Sequence, residues 1–416
     1  MRVSTSQLYA NTIQTMNTQQ SLLTQLQQEA STNIKLATPA DDPLGAARAV
    51  QISQNQAALS QFATNQQAAT SSLGLEDSTL GSVTSVLQDI NSLLVQAGTG
   101  TLTDSNRQAL AKELQGDRDT LMSLANTTDG AGNFIFSGFQ AGSPPFSNQS
   151  GGGVTYTGDT GTRMIQVTGT SSIASGDNGA SVFLSVLGGL AQPVPAGAAT
   201  NTGTGTIVNP VTISTTGAPT NNNPYSITFS SDPATGALQY EVDDTSTTPP
   251  TQISVNQPFT ADQPINLGPG MSVQISGTPA PGDSFTVTPA AKGNTDVFST
   301  LDTVIAALQV PAQNNPTATA TVTTALTTAS TELANTMTNV STLQASVGGR
   351  EQQLKALSTV NQTQALQGSS DLSDIVQANP AEVLSQFTLV QTALNAAEVT
   401  FAKVVQGSDL FSVISP

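Results

Sequence analysis

The chain has 416 residues, enough for two or three domains with cores of their own, and contains no Cys, His or Trp. That excludes disulfide staples, ordinary Cys/His zinc sites, and catalysis by a thiol or an imidazole. Only 9% of residues are charged, against about 25% in ordinary soluble proteins, and the formal net charge of −17 argues against nucleic acid as a partner.

The start, "MRVSTSQLYA", has no apolar core of the kind a cleaved secretory signal needs, so the expectation is a soluble chain or one exported without such a signal. The longest apolar run, "VFLSVLGGLA" (182–191), is too short to cross a bilayer, and no membrane partner is expected. Residues 5–34 lack Pro and Gly and place Tyr9, Ile13, Met16, Leu23, Ala30 and Ile34 on a 3,4 repeat, with Gln20 and Gln27 in the gaps. This predicts a helix with a weak coiled-coil seam.

"ATPADDPLGAARAV" (37–50) sets two adjacent carboxylates, Asp41 and Asp42, ahead of Pro43. A catalytic pair needs carboxylates that flank a cleft, whereas an Asp just before a Pro at the first helical position accepts hydrogen bonds from free N–H groups and complements the helix dipole. The capping reading is preferred, with Asp42 as the cap. From Leu44 to about Ala97, seven-residue steps give Ile52, Leu59, Gln66, Leu73, Leu80, Leu87 and Leu94, followed three residues on by Asn55, Phe62, Ala69, Glu76, Val83, Ile90 and Ala97. A helix of this length, roughly 80 Å, needs partner helices along it. After "GTGTLT", a second helix over about 104–126 presents Leu110, Leu114, Leu121 and Leu124, with Asp117 intruding.

"DGAGNFIFSGFQAGSPPF" (129–146) ends the helical half, and Gly, Pro, Thr and Asn dominate from there to about 290. Between residues 141 and 290 one base, Arg163, stands against eight acids. Alternating apolar residues predict hairpins in "VTYTGDTGTRMIQV" (154–167) and in 225–242, the latter turning at Asp232–Gly236, and a third strand pair in 271–287; tract 192–224 reads as loop. Helices return at 296–310 and 317–358, the second carrying Leu326, Ala329, Leu333, Val340, Leu343, Val347, Leu354 and Leu357, with Thr336 and Arg350 as exceptions. A link over 359–373 precedes the cleanest heptad: Val383, Phe387, Val390, Leu394, Ala397, Phe401, Val404, Ser408 and Phe411, with Asn379 as N-cap, Pro380 at the first helical position and Glu382 three residues after the cap.

Helices at both ends have seams that cannot be buried alone. The expected fold is α+β: a long α-helical coiled coil and bundle built from both chain ends, with an inserted β-rich domain. The expected parts are terminal coiled-coil helices (1–35 and 374–416), a helical bundle with a small β-hairpin (36–140 and 291–373), and a β-rich insertion (141–290). The terminal pair keeps exposed apolar surface unless neighbouring subunits cover it. Asp243-Asp244 and Asp117/Asp119 lack calcium-loop spacing, and the glycines at 98–100 and 151–153 lack a phosphate-loop context, so no catalytic residue, cofactor or metal is expected.

"LATPADDPLGAARAVQISQNQAALSQF" (36–62), "LTDSNRQALAKELQGDRDTLMSLANTTDGAGNFIFSGF" (102–139) and "LSDIVQANPAEVLSQFTLVQTALNAAEVTFAKVVQGSDLF" (372–411) resemble the flagellin superfamily and, within it, the hook–filament junction branch. The resemblance implies a non-enzymatic subunit that self-assembles into a ring, with hook-associated protein 1 on the hook side and flagellin on the filament side. It also implies export by the flagellar type III route, an extracellular home at the junction, and a cytoplasmic chaperone on the C-terminal helix. The implied subunit interface comprises Ile13, Met16, Leu23 and Ile34 at one end. At the other end it comprises Val383, Phe387, Val390, Leu394, Phe401, Val404 and Phe411. Two alternatives are carried: filament flagellin, whose "SSGLRINSAKDDAAG" stretch is replaced here by "ASTNIKLATPADDPLGAA" (30–47), and a surface adhesin acting through the β-rich insertion.

Overall fold

The seam read between Gln66 and Ala97 is buried at each heptad position: Gln66, Ala69, Leu73, Glu76, Leu80, Val83, Leu87, Ile90, Leu94 and Ala97. The computed structural model describes residues 5–186, 191–207, 212–213, 223–268 and 270–412. Its contacts form two compact units, Met1–Asn65 with Ala356–Pro416, and Gln66–Lys355.

In chain order the elements are α1 (Thr5–Thr32), α2 (Pro43–Ala97), α3 (Asp104–Ala125), β1 (Phe146–Asn148), β2 (Val154–Tyr156), β3 (Met164–Gln166), β4 (Ser172–Ala174) and the short α4 (Gly179–Phe183). Strands β5 (Val194–Gly197), β6 (Thr206–Ile207), β7 (Thr212–Ile213), β8 (Tyr225–Ser231), β9 (Leu238–Asp244), β10 (Thr251–Pro258), β11 (Pro264–Gly268), β12 (Met271–Ser276) and β13 (Ser284–Thr288) follow. Helices α5 (Val297–Gln309), α6 (Pro316–Val376) and α7 (Pro380–Ser412) complete the chain. The mixture is α+β, as the sequence predicts.

In the second unit α3 packs on α5. The buried stripe of α3 is Arg107, Leu110, Ala111, Leu114, Arg118, Leu121 and Ala125, so Ala125 takes the place expected for Leu124 and Arg118 the place beside Asp117. Arg118 is tolerated there because its guanidinium meets polar and aromatic partners. It pairs with Asp302 of α5, Nη2 to Oδ2 at 2.9 Å, donates to Asn148 Oδ1 at 2.9 Å, and lies 5.7 Å from the Phe298 ring centroid. Phe298 belongs to a ring cluster with Phe136, Phe146, Tyr156 and Phe183, at centroid separations of 5.0–6.0 Å. The loop feeding Phe136 into it is pinned by Asp129, whose carboxylate accepts the N–H groups of Ala131 and Asn133 at 2.8 and 2.9 Å. These bonds, with the Asn133 side chain first, hold the Asp129 carboxyl below its usual range.

The hairpin expected within 154–167 is two hairpins instead: β2 pairs with β1, and β3 with β4, both antiparallel. The intervening chain is diverted because Asp159 accepts the N–H groups of Gly161 and Phe139, at 2.7 and 3.0 Å. The 225–242 hairpin forms as read, β8 against β9, with Asp232 accepting from Ala234 N–H at 2.7 Å in the turn. The third expected pair, β12 with β13, does not form. These strands enter different sheets, β10-β9-β8-β13-β5 and β11-β12-β6 with β7 beside β12. The crossing between them is fixed by buried Asp283, which accepts from Thr202, Gly203 and Ala280 N–H groups. Residues 192–224, expected as loop, contribute β5, β6 and β7, while 208–211 and 214–222 lie outside the described residues. Alternate residues of both sheets, including Ile227, Phe229, Val242, Leu267, Val273, Ile275 and Phe285, meet in one core.

The link expected at 359–373 is helical, and α6 runs unbroken for 61 residues. Its seam there is carried by polar and small side chains that give no apolar periodicity. Buried Asn361 donates to Leu59 O of α2 at 3.0 Å, and Ala365 O accepts from Gln56 Nε2 at 3.2 Å. Further up α6, Thr328 donates to Pro195 O at 2.7 Å, and Asn335 exchanges two 2.8 Å bonds with the Gln192 backbone.

Glu76 sits at a seam position of α2 and is 2% exposed. Its Oε1 accepts the Asp177 N–H at 2.8 Å, and Arg350 of α6 is committed to Asp177 at 2.5 Å rather than to Glu76. Burial first, and the Asp177 charge second, push the Glu76 carboxyl up to about 8 from 4.5. A carboxyl raised in the folded state gives stability that is complete below about 4.5 and is lost as pH rises towards about 8. Across pH 5–7.5 the urea midpoint of the wild type is expected to fall relative to that of Glu76→Gln. A single proton contributes a slope of at most about 1.4 kcal/mol per pH unit. Parallel curves for the two proteins would show that Glu76 is ionised throughout.

Candidate assembly surface

The first unit brings α1 and α7 together. Leu26, Ala378, Val383 and Val390 form a small core, with Leu23 and Phe387 packed against it, and Tyr9 meets Phe401 edge-on at 5.7 Å. Among the described side chains of α1 those turned from solvent are Tyr9, Thr12, Met16, Gln19, Leu23, Leu26 and Glu29. The expected stripe shares Tyr9, Met16 and Leu23 with this one. Its alternate members shift by one residue, from Ile13, Gln20 and Gln27 to Thr12, Gln19 and Leu26. A 28-residue helix offers both choices, and the apolar size of Leu26 against Gln27 decides between them.

Ile13 is therefore off the α1–α7 seam and 47% exposed. Ile34 is also exposed, in an isolated antiparallel bridge to Gln377. Val383 and Val390 are buried, while Phe387, Leu394 and Phe401 are half-buried. The side chains of Val404 and Phe411 lie outside the described residues.

The segments joining these helices to α2 and α6 are tied to each other. Asn33 turns the chain with φ +57°, its carbonyl accepts from Ala378 N–H at 3.1 Å, and Lys35 N–H donates to Val376 O at 2.8 Å. The two acids then do separate work. Asp41 Oδ2 accepts the Thr38 N–H at 2.8 Å and closes the preceding turn; Asp42 Oδ1 accepts from Leu44 and Gly45 at 3.1 and 2.9 Å at the start of α2. At the start of α7, Asn379 Oδ1 accepts the Ala381 N–H at 3.1 Å.

Helix α7 carries a second apolar face that the heptad reading missed. Ala381, Leu384, Leu389, Ala393 and Ala396 line an open groove with Ser385, Thr388 and Thr392, and Leu384 and Leu389 are 64% and 71% exposed. The signal was present as a parallel 3,4 run beginning at Ala381, weakened by the Ser and Thr within it. Among the described residues no group of three or more acidic side chains is placed to hold a metal ion. Among the described residues no helix is long and apolar enough to cross a membrane.

Residues 3–141 match the bacterial flagellin N-terminal helical region. Over 413 residues, 99% of both chains, the sequence is 28% identical to flagellar hook-associated protein 3 of Salmonella typhimurium and 26% identical to that of Escherichia coli. This chain resembles hook-associated protein 3 from end to end. The fold agrees: hook-associated protein 3 of Legionella pneumophila superposes with a TM-score of 0.70 at 26% identity, covering 78% of this chain and 98% of that one. Xanthomonas campestris FlgL superposes with a TM-score of 0.67 at 29% identity, covering 77% and 99%.

Leu26→Ala is expected to weaken α1–α7 pairing by about 2–5 kcal/mol, the usual range for truncating a buried Leu. Ile13→Ser should leave that pairing unchanged. Amide exchange in α1 of the dilute monomer separates the two; equal loss of protection in both variants would place Ile13 back on the seam.

Proposed function

We propose that the chain is a structural subunit of the bacterial flagellum that joins hook to filament, assembling through its N- and C-terminal helices without catalysis. The observation that carries this is the second apolar face of α7, left open after α1 has covered the first. Burying a large apolar side chain contributes roughly 1.5–3 kcal/mol, so Leu384, Leu389, Ile13 and Leu22 favour a lattice in which neighbouring copies cover them. Full-length similarity to hook-associated protein 3 supports the same reading, and supports it over filament flagellin or an adhesin.

In this reading the copies form a ring between hook-associated protein 1 and the first flagellin subunits. The subunit travels through the flagellar type III channel to an extracellular position, and a cytoplasmic chaperone shields α7 beforehand. The terminal segments 1–35 and 374–416, the helical 36–140 and 291–373, and the insertion 141–290 then serve as inner, middle and outer parts. In this reading Ile13 and Ile34 meet neighbouring copies directly, Val383 and Val390 act by closing the α1–α7 pair that presents the surface, and Met16, Leu23, Phe387, Leu394, Phe401, Val404 and Phe411 complete the interface. To these the geometry adds Leu384 and Leu389.

Deleting the gene is expected to leave hooks without filaments and to release flagellin into the medium, seen by electron microscopy and immunoblotting of the supernatant. Complementation with Leu389→Asp should restore export but not filaments. Bare hooks with no flagellin anywhere would make this chain the filament subunit, and normal flagella would remove it from the junction.

A further inference from the structure

A cavity of about 370 Å³ lies in the second unit between α5, the first half of α6 and the loop after β5. Small residues shape it, among them Gly203 and Gly205 of the loop, Ala307 of α5, and Ala325 and Ala329 of α6. Its volume is at the lower end of the roughly 300–1,000 Å³ typical of small-molecule sites, and the mix of apolar walls with a few convergent polar groups is the pattern such sites share.

Among the described residues the one charged side chain on its walls is Glu332. Glu332 Oε2 accepts a 2.6 Å hydrogen bond from Thr300 Oγ1, and Thr300 in turn accepts one from Asn294 Nδ2 at 3.2 Å. Burial raises the Glu332 carboxyl above its usual range, with the Thr300 bond opposing. In the same unit Asp302 and Asp177 are paired with cations, Arg118 and Arg350, and buried Asp283 is matched by three backbone N–H groups. Glu332 has no such ion pair among the described residues, and no Lys or Arg lines the cavity. A desolvated carboxylate without a counter-charge is costly, and a cation that also fills apolar volume removes the cost.

We propose that this cavity binds a small primary alkylammonium ion, its ammonium on Glu332 and its alkyl stem along Val304, Ala325 and Ala329. A neutral apolar molecule would satisfy the walls and leave the carboxyl unmatched; a bare metal ion would leave the walls empty. The alkyl stem and the ammonium together match both.

The test is titration of the full chain with n-butylammonium chloride, with n-butanol and sodium chloride in parallel, by calorimetry and by the methyl shifts of Ala325 and Ala329. Saturable binding of butylammonium is expected, with butanol weaker. Glu332→Gln, which keeps the shape and removes the charge, should weaken binding at least about tenfold. Ala325→Leu, which fills the volume, should abolish it with the circular dichroism unchanged. Butanol binding as well as butylammonium, an undiminished affinity in Glu332→Gln, or methyl shifts reproduced by sodium chloride would each overturn the proposal, as would the absence of saturable binding.

Discussion

A helix whose apolar stripe has no partner is marginal in water, and this chain has two helices of 55 and 61 residues whose stripes run most of their length. Both are supplied with partners from distant parts of the chain. Where α6 loses its apolar residues, Asn361 reaches the backbone of α2, and where α2 carries glycine, the side chain of Gln344 in α6 comes close to Gly81. The remaining architecture, including the loops on which the β strands return to α6, depends on these long seams being closed.

The chemistry of closure follows from the shortage of charge. With 39 charged residues in 416, 28 acids and 11 bases, many long-range ties are made by neutral side chains bonding to backbone carbonyls. Gln66 donates to Val167 O at 2.8 Å, Asn339 to Ser181 O at 2.8 Å, and Thr327 to Ile207 O at 3.1 Å. Such bonds contribute modestly each, about 0.5–1.5 kcal/mol net, but leaving their buried partners unmade costs more. They set register without the desolvation that an ion pair incurs. The exceptions are informative: Arg118 and Arg350 are each enclosed with an aspartate, while among the described residues Glu76 and Glu332 form no direct ion pair of their own.

The terminal helices close one of their seams and leave another face open. Pairing α1 with α7 buries Leu26, Val383 and Val390 but leaves Leu384, Leu389 and Val399 in water. A single partner cannot cover two faces of one helix. On the proposed reading, neighbouring copies cover the face that α1 leaves open.

The helices themselves were legible because heptad spacing is a local property: the stripe from Gln66 to Ala97, the α7 stripe from Val383 to Phe401, and the turn at Asp232 can be read from neighbours in sequence. The start of α2 was legible for the same reason, since Asp42 needs only Leu44 and Gly45 to act. Strand partners beyond the β8–β9 hairpin were not, because β12 and β13 are close in sequence yet separated by a crossing that Asp283 holds through residues 202 and 203. The helical character of 359–373 was hidden for a related reason: Asn361 and Ala365 become seam residues only when Leu59 and Gln56 stand opposite. The choice of Leu26 and Thr12 over Gln27 and Ile13, which sends Ile13 to the surface, was likewise made by packing against α7. Periodicity determined that these segments are helices with buried stripes; only the folded chain, by bringing residues hundreds apart into contact, decided what each stripe faces.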